Sequence, residues 1–200
     1  MRRSSRHVIR RQKQLAALVS GVRQEIVDLL AQMGDASVAQ LAGSLGRPAD
    51  ALYFHIRALK KAGLVESAGY RHFARRKEAL FRTVSPQLWL QYDPHSSVNR
   101  ASVNAIVRSM LRLGIRDFTR AFQPGPLIVD GPRRELWALR KTGRLSARQV
   151  AEVNQLIERL TRSVSRPGSK GRLYAITILL TPLDRRIRRG AAGSKGVPTI

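Results

Sequence analysis

The sequence predicts an α+β fold that is mainly helical, with a first domain of helices and a β-hairpin and a second domain of alternating helices and strands. Two stretches with helical apolar spacing meet at a glycine within residues 37–62, and a hairpin with a cationic loop follows them. Ser85-Pro86 then marks a boundary. We expect a basic flexible arm at 1–14, a first domain at 15–85, a dimerisation or accessory domain at 86–184 and a basic disordered tail at 185–200.

Composition narrows the classes of function. The chain has 200 residues, of which 43% are hydrophobic, and 37 Lys and Arg against 13 Asp and Glu give a net charge of +24. Such an excess indicates an anionic partner such as nucleic acid and says little about the fold. No apolar run approaches the roughly 20 residues that cross a bilayer. We therefore expect a cytoplasmic, nucleoid-associated protein without a membrane partner.

The N-terminal stretch Met1 to Gln14 carries six Lys and Arg and no carboxylate. Two interpretations remain open, a solvated arm or an arm that contacts phosphates or a minor groove. From Leu15 to Leu30 apolar residues recur at helical spacing and predict a helix, broken near Ser20-Gly21, that packs beneath the next two helices.

The next two helices are joined by a tight turn. Ser37 is a suitable N-cap for the first, Gly46 can end it in the left-handed conformation, and Pro48 can begin the second. The second helix, to about Ala62, has a core stripe, and its other side mixes aromatic and basic groups that a merely solvated surface has little reason to hold. The stripe is Leu52, Ile56 and Leu59, and the other side is Asp50, Tyr53, Phe54, Arg57 and Lys61.

This arrangement predicts a helix-turn-helix, whose second helix enters the DNA major groove. We expect Tyr53, Phe54 and Arg57 to contact base edges or thymine methyl groups, with Asp50 near the N-terminus of the helix. Lys60 and Lys61 are expected on phosphates.

A hairpin follows, from Leu64 to Val84, with strands on either side of a loop that Gly69 opens. Its potentially cationic side chains repel one another in the free protein, so a polyanion is the expected partner. The sequence therefore predicts a phosphate-binding wing with Arg71, His72, Arg75, Arg76 and Lys77.

From Leu52 to Val65 the chain is LYFHIRALKKAGLV, which resembles the LYYHLRxLxxAGLV pattern of one branch of the ArsR-type winged-helix regulators. The resemblance covers about 22–84 and implies a winged helix-turn-helix that binds double-stranded DNA. The chain has no cysteine, which excludes disulfides and thiolate metal sites, so we expect neither a metal nor another cofactor. The stretch 145–149 loosely matches the LSxxE-like helix start in that branch's accessory half, without its acid.

The second half predicts a helix–strand–helix–strand order. After a short apolar helix at 87–92, a long helix spans 97–122 and carries a ridge of Arg108, Arg112, Arg116 and Arg120. For this ridge we favour solvation over a DNA-backbone or cross-protomer contact. A strand is expected at 135–141, a helix from Ser146 to Val164 and a strand at 172–180.

Apolar residues flanking the first domain exceed what a small winged domain needs, and one winged helix covers only a few base pairs, which favours a homodimer. Burial within one protomer is the competing explanation. The expected interface residues are Leu15, Leu18, Val22, Leu88, Trp89, Val103, Val107, Met110 and Phe118.

The sequence thus favours a sequence-specific DNA-binding transcription regulator, a repressor rather than an activator, acting as a homodimer. One alternative is a ligand-gated sensor that binds an unidentified small-molecule effector through Trp89, Trp137 and Tyr174. Another is a structural protein that binds nucleic acid non-specifically. An enzyme is not expected, because the four histidines are scattered and lack partners at ligand or catalytic spacing.

Overall fold

A computed structural model of the chain describes residues 6–73, 76–123, 125–164 and 171–183. These residues form an α+β structure, as the sequence predicted. In chain order the elements are β1 (His7–Ile9), α1 (Gln12–Leu18), α2 (Gly21–Met33), β2 (Ala36–Ser37), α3 (Val38–Leu45), α4 (Ala49–Ala62), β3 (Val65–Phe73), β4 (Arg76–Thr83), β5 (Leu88–Leu90), α5 (Ser97–Arg120) and α6 (Ala147–Val164).

One hydrophobic core holds the first four helices and the hairpin together. The predicted stripe of α4, Leu52, Ile56 and Leu59, is buried against α2 and α3, where Ile26 and Leu41 are also buried. Burying side chains of this size contributes about 1.5–3 kcal/mol each. The predicted break in the first helical stretch is confirmed, since α1 ends at Leu18 and α2 begins at Gly21.

The predicted turn between α3 and α4 is also confirmed. The Ser37 hydroxyl accepts a hydrogen bond from the Gln40 N–H at 3.3 Å, which satisfies a donor that the first turn of α3 leaves unpaired. Gly46 ends α3 with φ 61° and ψ 37°, a left-handed conformation that favours glycine. Pro48 is the N-cap of α4, and its backbone dihedral angles are non-helical, as is usual for the residue that precedes a helix.

The hairpin forms an antiparallel sheet in which β4 lies between β2 and β3. The pairing of β3 with β4 shifts register between Ser67 and Tyr70, where Gly69 has φ 90°. Such a bulge bends and twists a hairpin, so it sets the direction in which the tip projects.

The prediction of a flexible arm at 1–14 is wrong for the described part, and so is the helix predicted at 87–92. Instead, β1 and β5 pair as a short parallel ladder that aligns Val8 with Trp89. Ile9 is buried in the core, and the Arg6 guanidinium lies 3.7 Å from the centre of the Trp89 ring. Apolar burial and a cation–π contact therefore hold residues 6–9 on the body of the protein.

In the second half the two long helices are confirmed and the two strands are not. Residues 135–141 and 172–180 have no strand ladder in the described chain. Their alternating apolar pattern is typical of strands, but the backbone hydrogen bond from Glu135 to Ile128 is not extended into a ladder, and a strand requires a ladder. The predicted tail at 185–200 lies outside the described residues.

Several residues expected between two copies belong to the core of one protomer. Leu15, Leu18 and Val103 are buried because α1 packs on α5, which removes them as candidates for a surface between protomers. Phe118 remains exposed on α5. The other five residues, Val22, Leu88, Trp89, Val107 and Met110, are half-buried.

Candidate nucleic-acid interface

The surface of α4 opposite the core carries every residue predicted to contact bases. We call Asp50, Tyr53, Phe54, Arg57 and Lys61 the recognition face, and all five are exposed. The exposed fraction of Phe54 is 71%. An exposed aromatic ring contributes no free energy of apolar burial to the free protein. A partner that covers the ring would gain that free energy on binding.

The cations of this helix differ in their surroundings. Within the described chain, Arg57 and Lys61 make no hydrogen bond or ion pair. Lys60 instead points toward the sheet, with Nζ 5.5 Å from the centre of the Phe81 ring. Arg57 and Lys61 thus have unoccupied donors for an anionic or hydrogen-bonding partner.

His55 lies beside the recognition face and is packed into the domain. Burial, Arg23 and Arg47 lower its pKa from the usual value for histidine. Its Nδ1 has no hydrogen-bond partner in the described chain, and the Phe54 ring meets its own ring edge-on at a centroid distance of 5.6 Å. A neutral, half-buried imidazole is poorly suited to neutralising a phosphate.

The wing does not present all of its predicted cations. Arg71 lies opposite Glu78 in the ladder and pairs with it at 2.8 Å, so its charge is already compensated within the hairpin. His72 and Lys77 are exposed and face each other across the strands, with the Lys77 ammonium 4.3 Å from the centre of the Tyr70 ring. Arg75 lies outside the described residues, and only the backbone of Arg76 is described.

A carboxylate that the sequence did not single out joins the turn to the long helix. Glu25 on α2 pairs with Arg47 of the α3–α4 turn at 3.3 Å and with Arg116 of α5 at 2.7 Å. The pKa of Arg116 is raised, chiefly because its guanidinium donates a hydrogen bond to the Glu25 carboxylate and further because it donates one to Asp117. Only the fold brings Glu25, Arg47 and Arg116 together. The sequence signal for them was the acid itself, because a carboxylate in so basic a chain is expected to pair with cations. One member of the predicted arginine ridge is therefore ion-paired rather than simply solvated.

Asp28, which lies one turn after Glu25, makes the stability of the fold depend on pH. Desolvation, followed by the nearby carboxylates of Glu25 and Asp117, raises its pKa from 3.8 to about 6. The folded protein therefore binds this proton more tightly than the unfolded chain does, and stability falls as the pH rises through this interval. The side chain remains exposed, so solvent reduces the effect.

We expect Asp28→Asn to raise the free energy of unfolding at neutral pH by up to ~1 kcal/mol, because the amide has no charge to destabilise. Near pH ~4 the gain should disappear, since the wild-type carboxyl is then protonated. Urea denaturation at the two pH values measures this difference. A gain of equal size at both would show that charge is not the cause.

The three aromatic residues of the sensor alternative do not converge on a cavity in the described chain. Trp89 is covered by Arg6, Trp137 is 68% exposed beside Arg134, and the Tyr174 hydroxyl donates to the carboxylate of Glu135. None of them lines the open cleft of about 420 Å³ beside the N-terminus of α5. Among the described residues, no group of side chains suits a metal ion, and no helix is long and apolar enough to span a membrane.

Comparisons with known proteins agree with the geometry of the first domain. A family model described as "Helix-turn-helix domain" matches residues 18–68, which contain α2, α3 and α4. No curated protein matches the chain.

Among solved structures, a mutant of ZitR from Lactococcus lactis in its apo form is 13% identical, with 75% of this chain and 86% of that chain covered. Its TM-score of 0.29 is too low to carry weight. The family match, the turn geometry and the exposed recognition face bear out the predicted helix-turn-helix. The chain carries a helix-turn-helix domain at residues 18–68 and is a DNA-binding transcription regulator.

Proposed function

We propose that the protein is a sequence-specific repressor that binds duplex DNA as a homodimer. The proposal rests mainly on the recognition face, where two exposed aromatic rings stand beside the guanidinium of Arg57, which has no partner in the described chain. Arginine can donate two hydrogen bonds to guanine, and aromatic rings can contact thymine methyl groups. A non-specific binder needs only cations, whereas this helix combines apolar, acidic and basic groups at one exposed surface.

The wing supplies the second element of the proposal. Lys77 is exposed in the described part of the wing, and a cation in such a position neutralises phosphates and releases counterions, which adds affinity without selecting a sequence. Repression follows most simply, because occupancy of an operator is sufficient for it and activation requires a further contact. A dimer places two recognition helices about 34 Å apart on a two-fold symmetric site.

The salt dependence of binding tests the wing. The triple variant Arg75→Ala, Arg76→Ala, Lys77→Ala should weaken binding to all sequences about equally and flatten the slope of log K against log [salt] by roughly 2 to 3 units. Fluorescence anisotropy with a selected duplex and a scrambled one measures both effects.

A matched control removes three arginines from the exposed polar surface of α6, as Arg148→Ala, Arg159→Ala and Arg162→Ala. The control has the same net charge as the wing variant, so it separates local contacts from the general field of the protein. Equal slopes for the wing variant and this control would contradict a phosphate-binding wing.

A further inference from the structure

Helix α6 is amphipathic, yet none of its residues is buried. Its described links to the rest of the chain are polar. Arg6 pairs with Glu158 at 3.8 Å, and the Gln32 side chain donates to the Val164 carbonyl at 3.4 Å. An isolated helix of this length is marginal in water, and most helices in proteins gain their stability by packing an apolar face. The apolar stripe consists of Val150, Val153, Leu156, Ile157, Leu160 and Val164.

Residues 172–180, here called the strap, have the same property. The strap is RLYAITILL, and apolar residues alternate on both of its sides, a pattern typical of a strand covered by two layers. One side approaches α5, where the Thr177 hydroxyl lies 3.4 Å from the position that a Cβ on Gly114 would occupy. Arg172 and Tyr174 tie its beginning to the Glu135 carboxylate. Leu173 and Leu179 on that side nevertheless remain 64% and 51% exposed, and Ile176 and Ile178 on the other side 51% and 39%, so both sides of the strap are largely uncovered.

The uncovered area matches what a dimer requires. Eleven large apolar side chains of α6 and residues 172–183 are exposed, by 37% to 64%. At about half exposure they offer on the order of 500 Å² of apolar surface. Homodimer interfaces are roughly 65% apolar, so this corresponds to ~800 Å² per partner, the usual size of a stable interface. The eleven are Val150, Leu156, Leu160, Val164, Leu173, Tyr174, Ile176, Ile178, Leu179, Leu180 and Leu183.

The charge of this region also suits a second copy. Within α6, three arginines face two glutamates, and Arg172 is the one charge of the strap. In a chain of net charge +24, these are segments that two copies can bring together with little repulsion. The two glutamates also distinguish α6 from the strongly basic helices that bind anionic lipid surfaces.

We infer that a second copy of the chain covers this region, so that α6 and the strap of one protomer pack against α6 and the strap of the other. The inference rests on the proposed homodimer and assigns its interface to the C-terminal segments. The pairing is self-complementary, and the strap backbones of the two copies can supply to each other the ladder that the strap lacks among the described residues of one protomer. This interface keeps the two recognition faces free for DNA.

Sedimentation equilibrium of the full chain at micromolar concentration tests the inference. The wild type should have twice the monomer mass of 22.3 kDa. In the double variant Leu156→Glu, Leu160→Glu, the dissociation constant of the dimer should rise at least ~100-fold, because two carboxylates per protomer would be buried without partners. The matched control, Ala151→Glu with Gln155→Glu, adds the same charges to the opposite, exposed side of α6 and should remain dimeric.

Circular dichroism verifies that each variant is folded, and Ile176→Glu on the strap provides an independent disruption if α6 loses helix content. A double variant that stays dimeric would overturn the C-terminal interface and leave the homodimer intact. A monomeric wild type would overturn both, while leaving the DNA-binding role of the first domain unaffected.

Discussion

Arg57→Ala should weaken binding to the selected operator by ~1–3 kcal/mol and weaken binding to random duplex by much less. The physical reason is the position of Arg57 on the exposed side of α4, with no ion pair in the described chain to restrain or neutralise its guanidinium. A guanidinium that donates two hydrogen bonds to a guanine loses both on truncation, and a wrong base could not have formed them. Anisotropy titrations on both duplexes at one salt concentration measure the two losses.

The matched control for this experiment is Arg148→Ala. It removes the same charge from α6, where Arg148 is exposed and pairs with Glu152 at 3.0 Å. The control should change both affinities little, since a surface ion pair contributes about 0–1 kcal/mol and lies outside the recognition face. Equal losses on operator and random duplex for Arg57→Ala would make this residue a phosphate contact rather than a base contact.

Leu52→Ala should lower the free energy of unfolding by ~2–5 kcal/mol. Leu52 has no exposed surface and packs where α4 meets α3, so its truncation removes apolar burial and leaves a cavity beneath the turn. A loss of this size is a large part of the total stability of a small domain, which is about 5–15 kcal/mol. Urea denaturation followed by circular dichroism measures it.

Phe54→Ala, two residues further along the same helix, is the informative contrast. Because 71% of Phe54 is exposed, its truncation should change stability by only about 0.5 kcal/mol in either direction and should weaken DNA binding instead. If Phe54→Ala destabilises the fold as much as Leu52→Ala does, the ring serves the core and not the recognition face.

The sequence by itself determined the helix-turn-helix. Its signals are local, because Ser37 caps its own helix, Gly46 supplies a left-handed turn, and the four-residue step from Leu52 to Ile56 places both on one stripe. Such signals act within one helical turn and need no distant partner. The same locality predicted the hairpin, since its two strands are neighbours in the chain, but Gly69 lies at a bulge inside β3 and does not open the loop as predicted.

Only the tertiary structure decided which charges are available. Arg71 and Arg57 are both arginines in a basic segment, but the ladder places Arg71 opposite Glu78, while Arg57 has no acid within reach in the described chain. Likewise Glu25 gains its role because folding brings Arg47 and Arg116 to it from 22 and 91 positions away. Electrostatic partnership depends on distance in space, which local sequence patterns do not encode.

Long-range pairing also separates the correct predictions from the wrong ones in the two terminal regions. The short stretch at 7–9 is a strand because residues 88–90 lie beside it, whereas residues 172–180, with a far stronger strand pattern, have no ladder in the described chain. A strand needs a hydrogen-bonded neighbour. An alternating residue pattern shows only that a segment favours the strand conformation, not that a neighbour is present. The sequence therefore determined which segments favour a partner, and the tertiary structure decided which segments have one within the protomer.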